Sequence, residues 1–134
     1  MVERPPGAGR VNASTRESPM TDCIFCKIAA GEIPSKLVYQ GEHVVAFPDI
    51  HPAAPVHVLV VPRKHVQSVA HLADTDLELA GHLLLAARTV AEQAGVAESG
   101  YRVVINIGNE GGQTVPHLHL HVIGGRQLTG HGTA

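Results

Sequence analysis

Near the end of the chain three histidines alternate with large aliphatic residues, in Pro116-His117-Leu118-His119-Leu120-His121-Val122-Ile123. Successive side chains of an extended strand point to opposite faces, so His117, His119 and His121 share one face while Leu118, Leu120 and Val122 anchor the other. Imidazole ordinarily titrates near neutrality, and a row of such rings can supply a nucleophile, a proton donor or metal ligands at one place. Three readings of the row stand open on these residues alone: zinc ligation, a polar strand surface facing solvent, and catalysis. Immediately upstream, Gly108-Asn109-Glu110-Gly111-Gly112-Gln113-Thr114 offers backbone N–H groups and a hydroxyl in a loop that can approach phosphate oxygens closely. An anion cradle beside imidazoles favours the catalytic reading. A second cluster comes from Cys23 and Cys26, the only two cysteines, whose close spacing in an unsecreted protein suits a metal site or a redox pair better than a structural disulfide.

The elements that must position these groups can be read from patterning. Ile24 to Ala30 suits a short helix stopped by Gly31. Lys36 to Tyr39 and Val44 to Phe47 flank Gln40-Gly41-Glu42 as a hairpin, and Val56 to Val61, bounded by Pro55 and Pro62, reads as a buried strand that carries His57. Thr75-Asp76-Leu77-Glu78 matches a capping box. From there Ala80, Leu83, Leu84, Ala87, Val90, Ala91 and Ala94 recur at helical spacing before Gly95 ends the helix. Tyr101 to Ile107 forms the next strand, followed by the glycine loop and the histidine strand. Strand pairs on either side of one long helix predict an α+β fold, an antiparallel sheet of about five strands with the helices on one face.

The chain has 134 residues, enough for one domain with a true core, and the expected division is a flexible tail over residues 1–19, with Met20 as a possible start, and a single domain over 20–134. A formal net charge of -2 without Lys or Arg runs leaves little footprint for nucleic acid, and no apolar run approaches membrane-spanning length. The expectation is a soluble, cytoplasmic protein, with a small anion gripped in a pocket left open.

The sequence resembles the histidine triad superfamily over nearly all of Asp22 to Leu128. The resemblance rests on the triad itself, Phe25-Cys26-Lys27-Ile28, Glu32-Ile33-Pro34, Asp49-Ile50, Pro55-Val56-His57 and Gly111-Gly112-Gln113-Thr114-Val115. Gly124-Gly125-Arg126-Gln127 looks like the Hint branch, purine nucleoside phosphoramidases that cleave adenosine monophosphate linked to an amine. The resemblance implies that His119 attacks the α-phosphorus and becomes nucleotidylated, that His121 contacts the phosphate and helps protonate the leaving amine, and that His57 and His117 support the triad. It places Gly112, Gln113, Thr114 and the loop amides on the phosphoryl oxygens, with no metal required for the chemistry. It also puts Asp49 on the ribose hydroxyls, Asn106 on the leaving-group side, and Ile24, Phe25, Ile28, Phe47 and Ile50 around the base. Cys23 and Cys26 look like those of the zinc-binding members, which implies His65 and His117 as the other two ligands of a structural zinc. A homodimer is implied as well. Competing functions are a dinucleoside polyphosphate hydrolase, against which Gly124-Gly125-Arg126 argues, and a non-catalytic nucleotide- or zinc-binding interaction protein. A galactose-1-phosphate type nucleotidyltransferase would carry Gln in place of His121.

Overall fold

The computed structural model describes residues 22–132, and the expected tail over residues 1–19 lies outside them. Five strands form one antiparallel sheet: β1 (Tyr39–Gln40), β2 (Val44–Pro48), β3 (Val56–Pro62), β4 (Tyr101–Val104) and β5 (Leu120–Gly124). They lie in the order β1-β2-β3-β5-β4. The helix after β3 carries the chain to the far edge, where β4 forms, and β5 then returns into the slot between β3 and β4. Hydrogen bonding on both sides fixes the last strand, with Leu59 and Val104 both opposite His121.

The pleat sorts side chains into two cores. Val44, Ala46, Val58, Val60, Leu118, Leu120 and Val122 pack beneath the long helix α2 (Leu77–Gln93) through its buried Leu83, Ala86, Ala87, Val90 and Ala91. On the opposite face Val45, Phe47, Leu59 and Val61 pack against the short helix α1 (Ile24–Ala29) through Phe25, Ile28 and Ala29. The helices therefore cover both faces of the sheet, not one as expected, because β2 and β3 are apolar on both sides. Strands buried on both faces read as continuous apolar runs without alternation.

Three local expectations change. Leu84 is 58% exposed and Ala94 is also exposed, so the inward stripe of α2 is narrower than the sequence spacing suggests. The capping box at Thr75 does not form. Instead a 3₁₀ turn, Asp74–Asp76, leads into α2, and the buried Asp76 carboxylate accepts the Ala73 N–H at 2.9 Å and the Lys64 ammonium at 2.7 Å. Finally, β4 stops at Val104 rather than Ile107, and His117 and His119 precede β5, His117 in a bend where its N–H meets the Val115 carbonyl at 2.8 Å. Among the described residues no helix is long and apolar enough to cross a membrane.

Candidate active site and metal centre

His119 and His121 lie on the α1 side of the sheet, as period-two alternation requires, with Leu118, Leu120 and Val122 turned toward α2. His57 joins them from β3, where its register partner is Ile123. The rings form a continuous surface, with His119 to His121 centroids 5.0 Å apart and His121 to His57 centroids 5.2 Å apart. Phe25 of α1 meets His119 edge-on at 5.3 Å and His117 at 5.8 Å, so the short helix backs the histidine row.

Main-chain groups fix what each ring offers. His119 is 4% exposed, and its Nδ1 lies 2.8 Å from the His117 carbonyl. A carbonyl only accepts, so Nδ1 carries a proton, and in the neutral ring Nε2 keeps its lone pair. His121 Nδ1 lies 2.9 Å from His57 Nε2, which is also 3.4 Å from a carboxylate oxygen of Asp49. Burial, then repulsion from His119 and His57, pushes His121 down to about 4, and burial also lowers His57 despite the opposing pull of Asp49. Both rings are neutral at pH 7. The other Asp49 oxygen accepts the His51 N–H at 2.8 Å, so this carboxylate both closes a turn and faces the histidines.

The metal candidates converge beside this row. Cys23 caps the N-terminus of α1, and its Sγ lies 3.2 Å from His117 Nδ1. Cys26 Sγ lies 3.2 Å from His65 Nδ1 and 3.5 Å from His117 Nδ1. Sulfur and nitrogen ligands of one tetrahedral zinc stand about 3.6 Å apart, given the usual bond lengths, so the spacing suits such an ion. The decisive fit is the tautomer of His117. Its Nε2 donates to the Pro62 carbonyl at 2.9 Å, which leaves the Nδ1 lone pair aimed at the thiols, the arrangement by which backbone carbonyls orient metal-ligating histidines. Burial and the adjacent Cys23 thiol push Cys26 up to about 12, a pairing that a divalent cation would reverse by drawing both groups into the thiolate form.

Other expected site residues are placed less simply. Ile28 and Phe47 fill the core on the α1 side, whereas Ile24 is half exposed and Ile50 is 85% exposed. Asn106 donates to the Gly111 carbonyl at 2.9 Å and so braces the glycine loop. Gln113 is a second brace, reaching the Gln67 and Val115 carbonyls and accepting the Gly108 N–H. The amides of Gly112 and Gln113 are spent on the Asn109 and Gly108 carbonyls, which removes them from the expected phosphate cradle. Thr114 is exposed, and among the described residues its amide has no protein acceptor. Ala53, whose N–H lies 2.9 Å from His57 Nδ1, and Pro62 touch the histidines only through main-chain atoms, so no residue-type signal in the sequence points to them.

Residues 30–128 match the family model of the HIT domain. The chain belongs to the HIT domain family. It is 46% identical to Protein HitA of Neisseria gonorrhoeae over 105 residues, 78% of this chain and 97% of that protein. The fold is similar to a HIT family hydrolase from Legionella pneumophila, with a TM-score of 0.78 and 46% identity over 81% of this chain and 96% of that one. It also resembles a histidine triad protein from Clostridium difficile, with a TM-score of 0.79 and 44% identity over 82% of this chain and 96% of that one. A histidine triad nucleotide-binding protein from Candida albicans is more distant, at 30% identity and a TM-score of 0.69, covering 84% of this chain and 87% of that one. The alternating histidines and the two-sided sheet are thus those of a HIT domain, and its hydrolase relatives make hydrolysis the chemistry to test.

Proposed function

We propose that this protein hydrolyses purine nucleoside phosphoramidates, adenosine monophosphate joined to an amine, through a covalent nucleotidyl-histidine. The observation that carries this reading is the orientation of His119: a buried imidazole whose Nδ1–H is committed to the His117 carbonyl, so that in the neutral ring the Nε2 lone pair is the one left for attack. A positioned neutral nucleophile splits one difficult displacement at phosphorus into two easier ones. His121 offers a hydrogen bond to the phosphoryl oxygen or the departing nitrogen, and the free Thr114 amide offers another, so charge on phosphorus meets preorganised donors. Asp49, held by its turn, reaches the ribose hydroxyls as well as His57. The base lies against exposed Ile24 and Ile50, above the floor of Phe25, Ile28 and Phe47.

Cys23, Cys26, His65 and His117 hold a zinc ion in this reading. Four protein ligands fill a tetrahedral shell, so the ion serves structure by tying α1, the segment after β3 and the approach to β5 together. Two free thiols suit the reducing cytoplasm. Exposed Leu84, Val103 and Ile105 on α2 and the β4 edge supply an apolar face for a second copy, in keeping with the homodimer implied by the resemblance.

Steady-state turnover on an adenosine phosphoramidate, set beside turnover on diadenosine polyphosphates, tests the substrate class. Rapid acid-free quenching followed by mass spectrometry should find a nucleotide on His119. Preference for the polyphosphates would replace the phosphoramidase reading, and absence of turnover on both would leave a binding protein.

A further inference from the structure

The main chain treats the two histidine clusters in opposite ways. Behind His117 stands the Pro62 carbonyl, whereas behind His57 stands an amide: the Ala53 N–H lies 2.9 Å from His57 Nδ1. A backbone N–H can only donate, so His57 Nδ1 must present its lone pair and the single ring proton must sit on Nε2. That proton faces His121 Nδ1 at 2.9 Å, with Asp49 at 3.4 Å as a secondary acceptor. His121 Nδ1 is therefore an acceptor too. Its own proton is on Nε2, the nitrogen left to meet a substrate.

We propose that the Ala53 amide is a positioning group for the reaction: acting through His57, it holds His121 as a neutral Nε2–H hydrogen-bond donor and denies the pair a second proton. Protonating His57 would set Nδ1–H against the Ala53 N–H. Protonating His121 would set its Nδ1–H against the His57 Nε2–H. Each places two donors nose to nose in a half-buried site, where unpaired polar groups are costly. Of the titratable groups facing the pair, His119 adds repulsion on His121, and only Asp49 favours protonation, as the lesser influence on either ring.

Two consequences follow for the chemistry. An amide cannot resupply His57, so a proton given by His121 Nε2 to a leaving amine has to return to that same nitrogen, from the water that then hydrolyses the nucleotidyl-histidine. The pair therefore meets developing charge through one Nε2–H and does not relay protons through His57. The second consequence concerns Asp49, His57 and His121, which are spaced closely enough to suggest a metal triad. A metal on His57 Nε2 would force the ring proton onto Nδ1, against Ala53, so the amide disfavours that use. The same reasoning selects His117, which has a carbonyl behind it, as a ligand.

The atom faced by His121 Nε2 rests on the proposed function, but the tautomers do not. Full-length protein with ¹⁵N-labelled histidine, followed by long-range ¹H–¹⁵N correlation between about pH 5 and about 8, reads them directly. His57→Gln and His121→Gln variants assign the two rings. Both rings should show Nε2–H with an unprotonated Nδ1 throughout. A proton on His121 Nδ1, or double protonation of either ring near pH 7, would overturn the inference. Ala53→Pro deletes the amide hydrogen and should release the lock, so that one of the two rings titrates closer to its ordinary value, while Ala53→Gly keeps the amide and should keep both tautomers. A folded Ala53→Pro protein with unchanged tautomers would likewise overturn it, and should that variant not fold, the wild-type spectrum decides alone. Predicted tautomers in a protein that does not turn over phosphoramidates would sink the proposed function and leave this inference standing.

Discussion

Under the proposed mechanism His119→Ala removes the nucleophile but neither the apolar residues on the α1 side nor the Thr114 amide. Turnover should fall by at least ~10³-fold, while nucleotide affinity measured by calorimetry stays within a few-fold; near-normal turnover would exclude the covalent route. At the same scale, burial makes His57 and His121 harder to protonate in the folded chain than in the unfolded one, His121 down to about 4 from its ordinary value near 6.5. Across that window the unfolded chain binds more protons, so stability rises with pH and is lost as pH falls from about 6.5 toward 4. Urea midpoints should therefore be lower at pH 5 than at pH 7, and His121→Gln should narrow the gap. Period-two spacing made the shared face of these histidines legible in the sequence. Their tautomers were not, because a carbonyl at Pro62 and an amide at Ala53 set them, and any residue type carries those atoms.

Elements were legible where patterning is local and blurred where tertiary contacts decide. The start of α2 shows the difference: Thr75-Asp76-Leu77-Glu78 fits a capping motif, yet the side chain that satisfies a backbone donor is Asp76, reaching back to Ala73 and held by Lys64. Lys64 lies beyond any local window. Thr75→Ala should therefore change stability by no more than about 0.5 kcal/mol, whereas Asp76→Ala, which strips a buried carboxylate from two donors, should cost about 1–3 kcal/mol; chemical denaturation of both variants separates the two assignments. The glycine loop is legible by composition, but the two amides that close the loop on itself are not. Gly111 is required sterically, because a Cβ there would collide with the Ile107 carbonyl oxygen. Gly111→Ala should displace the segment leading to Thr114 and lower kcat more than it lowers the thermal midpoint. Equal activity in that variant would show that the loop does not meet the transition state.

For the whole molecule, the question is how a chain with two cores keeps the histidine row in register. The long helix covers one face of the sheet, but the α1 side is closed by only six helical residues, too few to be stable as a helix without tertiary support. Cys23 and Cys26 stand at the start of that helix, His65 follows β3, and His117 supplies both a ring for the candidate metal site and the carbonyl that orients His119. A bound zinc ion would thus clamp the weaker face and hold the hydrogen-bond acceptor of His119 in place, without offering an open coordination position for chemistry. Cys23→Ser with Cys26→Ser should release the metal and lower the thermal midpoint, yet leave measurable hydrolysis at temperatures where the variant remains folded. Elemental analysis of reduced wild-type protein is the first measurement: full activity with no bound metal, and no gain of stability on zinc addition, would remove the site from the fold's support. If the wild type carries zinc and the folded double variant has no hydrolysis at all, the clamp acts on catalysis through the His117 carbonyl, and realigned His119 resonances in that variant would show the displacement directly.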